Sequence, residues 1–110
     1  MANFFKNSIT GSIGTTGVKV YEVPAATTTT VIGVNIANVA TQNISVSVMV
    51  RDSSLGKTVY LVKDAIIVQG STTVLIGGEQ KIVLESTDFL SVTSSLSNSA
   101  DVIISVLELT

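Results

Sequence analysis

Between residues 43 and 51 apolar and polar positions alternate: Ile44, Val46, Val48 and Val50 are interleaved with Ser45, Ser47, Met49 and Arg51. Successive side chains of a strand point to opposite faces, so a period of two predicts one aliphatic and one mostly polar face. A helix would spread the same four residues around its circumference. The stretch is therefore a half-buried strand, and its dry face needs a second layer. The same reading predicts strands over 18–23, 31–39, 58–63, 65–68, 72–76, 81–85, 89–93 and 101–109. Turns are expected at 40–43, 52–56, 69–71, 77–80 and 86–88, with a longer polar loop at 94–100. Pro24, the only proline, ends the strand at 18–23 because it has no ladder donor. Eight or nine short strands at roughly ten-residue spacing, with no 3.6-residue period anywhere, predict an all-β fold. The expected architecture is an antiparallel β-sandwich, immunoglobulin-like or jelly-roll-like.

Three stretches depart from simple alternation. In 31–39, Ile32, Val34 and Ile36 share one face and the small set Gly33, Asn35 and Ala37 the other. Gly33 reads as a bulge in a long strand in preference to a point where another backbone approaches. In 101–109, Val102, Ile104 and Val106 lie on one face, but Ile103, Leu107 and Leu109 lie on the other. A strand apolar on both faces is covered on both; the outer cover is either the N-terminal segment or another subunit. Residues 1–17, polar and punctuated by Gly11, Gly14 and Gly17, read as an arm preceding a sandwich domain over 18–110. Phe4 and Phe5 in that arm either fold back as a plug on the end of the sandwich or anchor it on a neighbour. The candidate interface residues are thus Phe4, Phe5, Ile103, Leu107 and Leu109.

Composition sharpens this picture. At 110 residues the chain fits one domain with one core. It is 45% hydrophobic with only 5% aromatic residues, and Val, Ile, Thr and Ser dominate, a balance suited to pleated surfaces. Charged residues make up 13%, against about 25% in ordinary soluble domains, which suits a protein that hides surface in an assembly. A net charge of −2 and scattered lysines give no footprint for nucleic acid. No apolar run approaches a membrane span, and residues 1–7 do not read as a secretory signal. The Asn43-Ile44-Ser45 sequon is discounted for want of that signal.

Catalytic options are few. With no histidine there is neither a Ser-His-Asp triad nor a His metal site, and with no cysteine neither a thiol nucleophile nor a zinc cluster. The eight carboxylates lack the spacing of a calcium loop. Glu85 and Asp88, the only close pair, sit between two strands and read as a turn in preference to a glycosidase dyad. Gly77-Gly78 and Gly14-Thr15-Thr16-Gly17 lack the following helix and lysine of a phosphate cradle. No enzyme, cofactor, metal or small-molecule substrate is expected.

The chain resembles small structural proteins of tailed bacteriophages, including cyanophages. The likeness is carried by Met1-Ala-Asn-Phe-Phe-Lys-Asn7, by Val18-Lys-Val-Tyr-Glu-Val-Pro24 with the threonines that follow, and by Lys57-Thr-Val-Tyr-Leu-Val-Lys-Asp64. Gly77-Gly-Glu-Gln-Lys-Ile-Val-Leu-Glu85 and Ile103-Ile-Ser-Val-Leu-Glu108 complete it. The resemblance implies a multi-copy, non-catalytic virion component assembled in the host cytoplasm, on the capsid, neck or tail. Expected partners are copies of itself and other virion proteins, with no nucleic acid and no membrane. The competing function is a tail adhesin that recognises the host through loops such as 94–100.

Overall fold

The computed structural model describes residues 2–77 and 81–110. They form nine strands: β1 (Asn3–Ile13), β2 (Val18–Glu22), β3 (Thr28–Asn38), β4 (Ile44–Asp52), β5 (Lys57–Ile67), β6 (Thr72–Ile76), β7 (Ile82–Leu84), β8 (Phe89–Ser94) and β9 (Ala100–Leu109). Every pairing is antiparallel and the set is nested: β4 with β5, β3 with β6 and β7, β2 with β8, β1 with β9. The chain is thus one long hairpin whose tip lies at 53–56. Further ladders, β3 with β9 and β4 with β8, roll that hairpin into two layers. One sheet runs β1-β9-β3-β6 with β7 also on β3; the other runs β2-β8-β4-β5. This wrapped-hairpin order is the jelly roll, which decides between the two expected sandwich types.

The core lies between the layers and is almost wholly aliphatic. Val46 and Val48, from the stretch that most clearly alternates, are buried with Val31, Ile36, Leu90 and Ile104. At roughly 25 cal/mol per Å² of apolar surface removed from water, such side chains supply the main drive for folding. Their partners on the same strands, among them Ser45, Ser47 and Met49, face away from the core and are only partly covered.

Several expectations are corrected. Residues 3–13 do not form a separate arm: they are β1, paired residue for residue with β9 from Asn3↔Leu109 to Thr10↔Val102. The glycine-rich composition hid this, because an edge strand needs little apolar content to hold its ladder. The segment therefore lies beside β9 and not over it, so it cannot cover that strand's outer face. The strands expected at 58–63 and 65–68 are one, β5. Its polar Lys63-Asp64 makes a bulge instead of a turn, with Asp64 at φ 54° and its N–H donating to Ser47 Oγ at 3.0 Å. Gly33 does sit at a bulge, where the β3–β9 register shifts between Val31 and Gly33. Beyond Gly77, the turn expected at 77–80 lies outside the described residues.

Candidate functional site

The site is a face. Register places the outward residues of the first sheet in rows across its strands: Ile9, Ile103, Asn35 and Val74 form one, and Phe5, Leu107, Thr30 and Val83 another. Between them runs a row of small side chains, Asn7, Ser105 and Gly33. Phe5 is 76% exposed, Ile9 70% and Ile103 40%, while Leu107 and Leu109 are half-covered by neighbours in the sheet. A shallow hollow of about 290 Å³ opens over the small row, bordered by Phe5, Asn7, Ile32 and Ser105.

β1 is inverted relative to an ordinary sandwich strand. Its apolar Phe5 and Ile9 point away from the core, whereas Lys6, Ser8 and Thr10 share the side of the buried Val106, Ile104 and Val102. The strands place no lysine or arginine on the outer face among the described residues. Asp101 lies at one end, and its Oδ1 accepts the Ser12 N–H at 3.0 Å. The other sheet differs. Its outer side carries Lys19, Glu22 and Arg51 around Phe89, with Lys19 Nζ 4.4 Å from the ring centroid. That side also exposes Tyr60 and Ile66 on β5, but among charged neighbours. The first sheet exposes its apolar side chains with, among the described residues, no strand cation beside them, the mark of an interaction site.

Of the expected interface residues, the structure brings Phe5, Ile103, Leu107 and Leu109 onto this face and separates Phe4 from them. Phe4 pairs with Glu108, on the opposite side of the sheet, and is 47% exposed at the rim. Neither phenylalanine plugs the end of the sandwich. Ile9, Val74 and Val83 also belong to the face. Ile9 was legible, since it stands four residues from Phe5 and hence on the same face of a strand. Val74 and Val83 were not, because nothing local says which way their strands face.

Behind the face, Glu108 is buried between the layers at 4% exposure. It accepts Tyr21 Oη at 2.6 Å on Oε2 and lies 3.0 Å from Lys6 Nζ through Oε1. The Thr29 hydroxyl completes the cluster, 2.8 Å from Tyr21 Oη. The hydrogen bond from Tyr21, aided by Lys6, holds the Glu108 carboxyl below the usual carboxylate range despite its burial. Burial first, then the contact with Glu108, pushes the Tyr21 hydroxyl up to about 12. These pairings tie four strands at one end of the sandwich.

Glu85 and Asp88 come together with Asp52, one carboxylate oxygen of each lying within 4.8 Å of the others. The bonds they make hold loops. Asp88 Oδ1 accepts the Ser53 N–H and Oδ2 the Glu85 N–H, both at 2.9 Å. The Asp52 carboxyl accepts the Leu55 N–H at 3.0 Å, which with the Ser54 hydroxyl lowers its pKa. In the 94–100 loop, the Ser94 and Ser99 hydroxyls are buried and bonded to each other, and Ser99 Oγ also donates to Leu96 O at 2.6 Å.

No family of known sequences matches the chain, and no curated protein does. Solved structures do share its shape. A subunit from a structure described as Bacillus endospore appendages that form disulfide-linked pili superposes with a TM-score of 0.56 at 9% identity, covering 98% of this chain and 88% of that one. A chain of infectious bursal disease virus Gx strain aligns at TM-score 0.49 and 12% identity, covering 96% of this chain and 28% of its own. A chain of the virus-like particle of giant freshwater prawn Macrobrachium rosenbergii extra small virus aligns at 0.46 and 12%, covering 98% and 79%. At 9% identity the likeness to the pilus subunit is one of fold.

Proposed function

We propose that this chain is a non-enzymatic structural subunit of a bacteriophage virion. In this reading it is present in many copies and decorates or cements the capsid or forms part of the neck. The observation that carries it is the inverted β1: Phe5 and Ile9 point outward and join Ile103, Leu107, Val74 and Val83 on a face where, among the described residues, the strands place no cation. An isolated molecule gains nothing from that arrangement, whereas a subunit buries the face against a neighbour. Its partners are copies of itself and adjoining capsid, neck or tail proteins, met in the host cytoplasm during assembly. The phage-like segments of the sequence support the setting. The shared fold with a pilus subunit supports a scaffold for repeated assembly, though without its disulfides, since this chain has no cysteine. Many weak apolar contacts then hold the subunit by avidity. The adhesin reading has less to rest on, because the buried hydroxyls of the 94–100 loop are spent on their own chain.

Mass spectrometry of purified particles, with a cryo-EM map to locate the density, tests this. The chain is expected in the particle in many copies, with the β1-β9-β3-β6 face covered. Particles complete without it would overturn the proposal, as would a map in which that face meets only solvent.

A further inference from the structure

Sheet edges attract strands, and proteins blunt them by shortness, charge or irregularity. Three of the four edges here are blunted. β2 has five residues and a register shift, and β6 and β7 have five and three. β5 is long but carries Lys57 and Lys63, the left-handed Asp64 and two register shifts. β1 is the least protected: its register shift and the left-handed Ser12 both lie beyond Thr10, at one end of the strand. It pairs regularly from Asn3 to Thr10, with Lys6 as its one charge.

The ladder shows which backbone groups are free. Ala2 and Thr110 exchange both hydrogen bonds, Ala2 N to Thr110 O at 3.2 Å and Thr110 N to Ala2 O at 3.0 Å. Such closed pairs alternate with open ones in an antiparallel ladder, so Phe4, Lys6, Ser8 and Thr10 turn their N–H and C=O toward β9. Asn3, Phe5, Asn7 and Ile9 therefore turn theirs to the open edge.

We infer that this edge is completed by β1 of a second copy, antiparallel about a two-fold axis through Asn7, joining two first sheets into one. The axis follows from the side chains. Centred on Lys6, the pairing would set two ammonium groups opposite each other, which is repulsive. Centred on Ser8, it would set Phe5 against Gly11. Centred on Asn7, it places Phe5 of each copy opposite Ile9 of the other, an aromatic with a β-branched residue, and Lys6 opposite Ser8. Both edges are closed, as an isologous dimer requires. The apolar rows then continue from one copy to the next. The inference rests on the proposed role of assembly subunit only in expecting self-association: a monomeric chain would sink the strand pairing and leave incorporation into particles, read by mass spectrometry, untouched.

The full chain has no cysteine, so single thiols report cleanly. Asn7→Cys is expected to form a disulfide-linked dimer on mild oxidation, because directly opposed residues of a closed pair have Cα atoms about 5.5 Å apart, within disulfide reach. Asn3→Cys is not, its two copies lying about 26 Å apart along the strands. Asn7→Pro costs no bond to β9, since the Asn7 N–H points outward, but it removes an edge donor. In sedimentation velocity the wild type is expected as a dimer, and Asn7→Pro as a folded monomer or a dimer at least ten-fold weaker. A monomeric wild type at its highest soluble concentration overturns the inference, as does an equally dimeric Asn7→Pro. If Asn7→Pro does not fold, the thiols decide: equal cross-linking at both positions, or at neither, also overturns it.

Discussion

Tyr21 reaches across the sandwich from β2 to Glu108 on β9, its hydroxyl donating to Oε2 at 2.6 Å. The two residues belong to different sheets and lie 87 apart in sequence. A carboxylate this buried persists only because donors replace its lost water, and Tyr21 and Lys6 do so.

Tyr21→Phe keeps the ring and removes the donor, leaving a buried carboxylate short of one partner. The expected loss is about 1–3 kcal/mol of unfolding free energy, the cost of such an orphaned group. Replacing both partners with apolar residues, as in Tyr21→Phe with Glu108→Leu, is expected to cost less than the sum of the single changes. Urea unfolding of the four proteins of this cycle measures both effects.

The same pair sets a limit in base. The Tyr21 hydroxyl is raised from 10.0 to about 12 in the folded chain. Above pH ~10 the unfolded chain gives up this proton while the folded chain keeps it, so stability falls as pH rises from ~10 toward 12. Wild type should lose more stability across that window than Tyr21→Phe, which lacks the group. Glu108 acts at the other end: with its pKa lowered in the fold, its contribution is complete above the usual carboxylate range and fades as acid protonates it. Thermal unfolding of both proteins from pH 2 to 12 reads the two limbs.

Gly14 and Gly33 should respond differently to a methyl group. A Cβ at Gly14 would stand 3.2 Å from the Ser97 Cα, in the 94–100 loop that bonds back to Gly14 O through the Ser94 N–H. Backbone must move to admit it, and Gly14→Ala is expected to destabilise by about 1–3 kcal/mol. At Gly33 the nearest atoms lie at 3.8 Å, ordinary contact, so Gly33→Ala is expected to cost under ~1 kcal/mol or to stabilise. Paired melting curves distinguish them.

Ile103→Lys tests the apolar face without touching the core. The side chain is already 40% exposed and points away from it, so the fold should survive with a change within about 1 kcal/mol. Incorporation into particles should fall sharply, because docking would have to bury an ammonium against apolar side chains. Circular dichroism checks the first outcome, and quantitative mass spectrometry of particles the second.

Most strand positions, most turns and the all-β class were legible because alternation is local: a period of two in β4 or β9 announces a strand with two unlike faces wherever it occurs. Even Glu108 follows the inward parity of Val102, Ile104 and Val106. The jelly-roll order was not legible, since it depends on which strand meets which across up to a hundred residues, and generic Val and Ile alternation encodes no addresses. The clearest case is β1. Its residues separate Phe5 and Ile9 from Lys6, Ser8 and Thr10, so the chain alone determines that the two faces differ. Only the tertiary structure decides that the apolar one looks outward. There the partner strand's register and the buried Glu108 that engages Lys6 outweigh the local preference to hide two large apolar side chains.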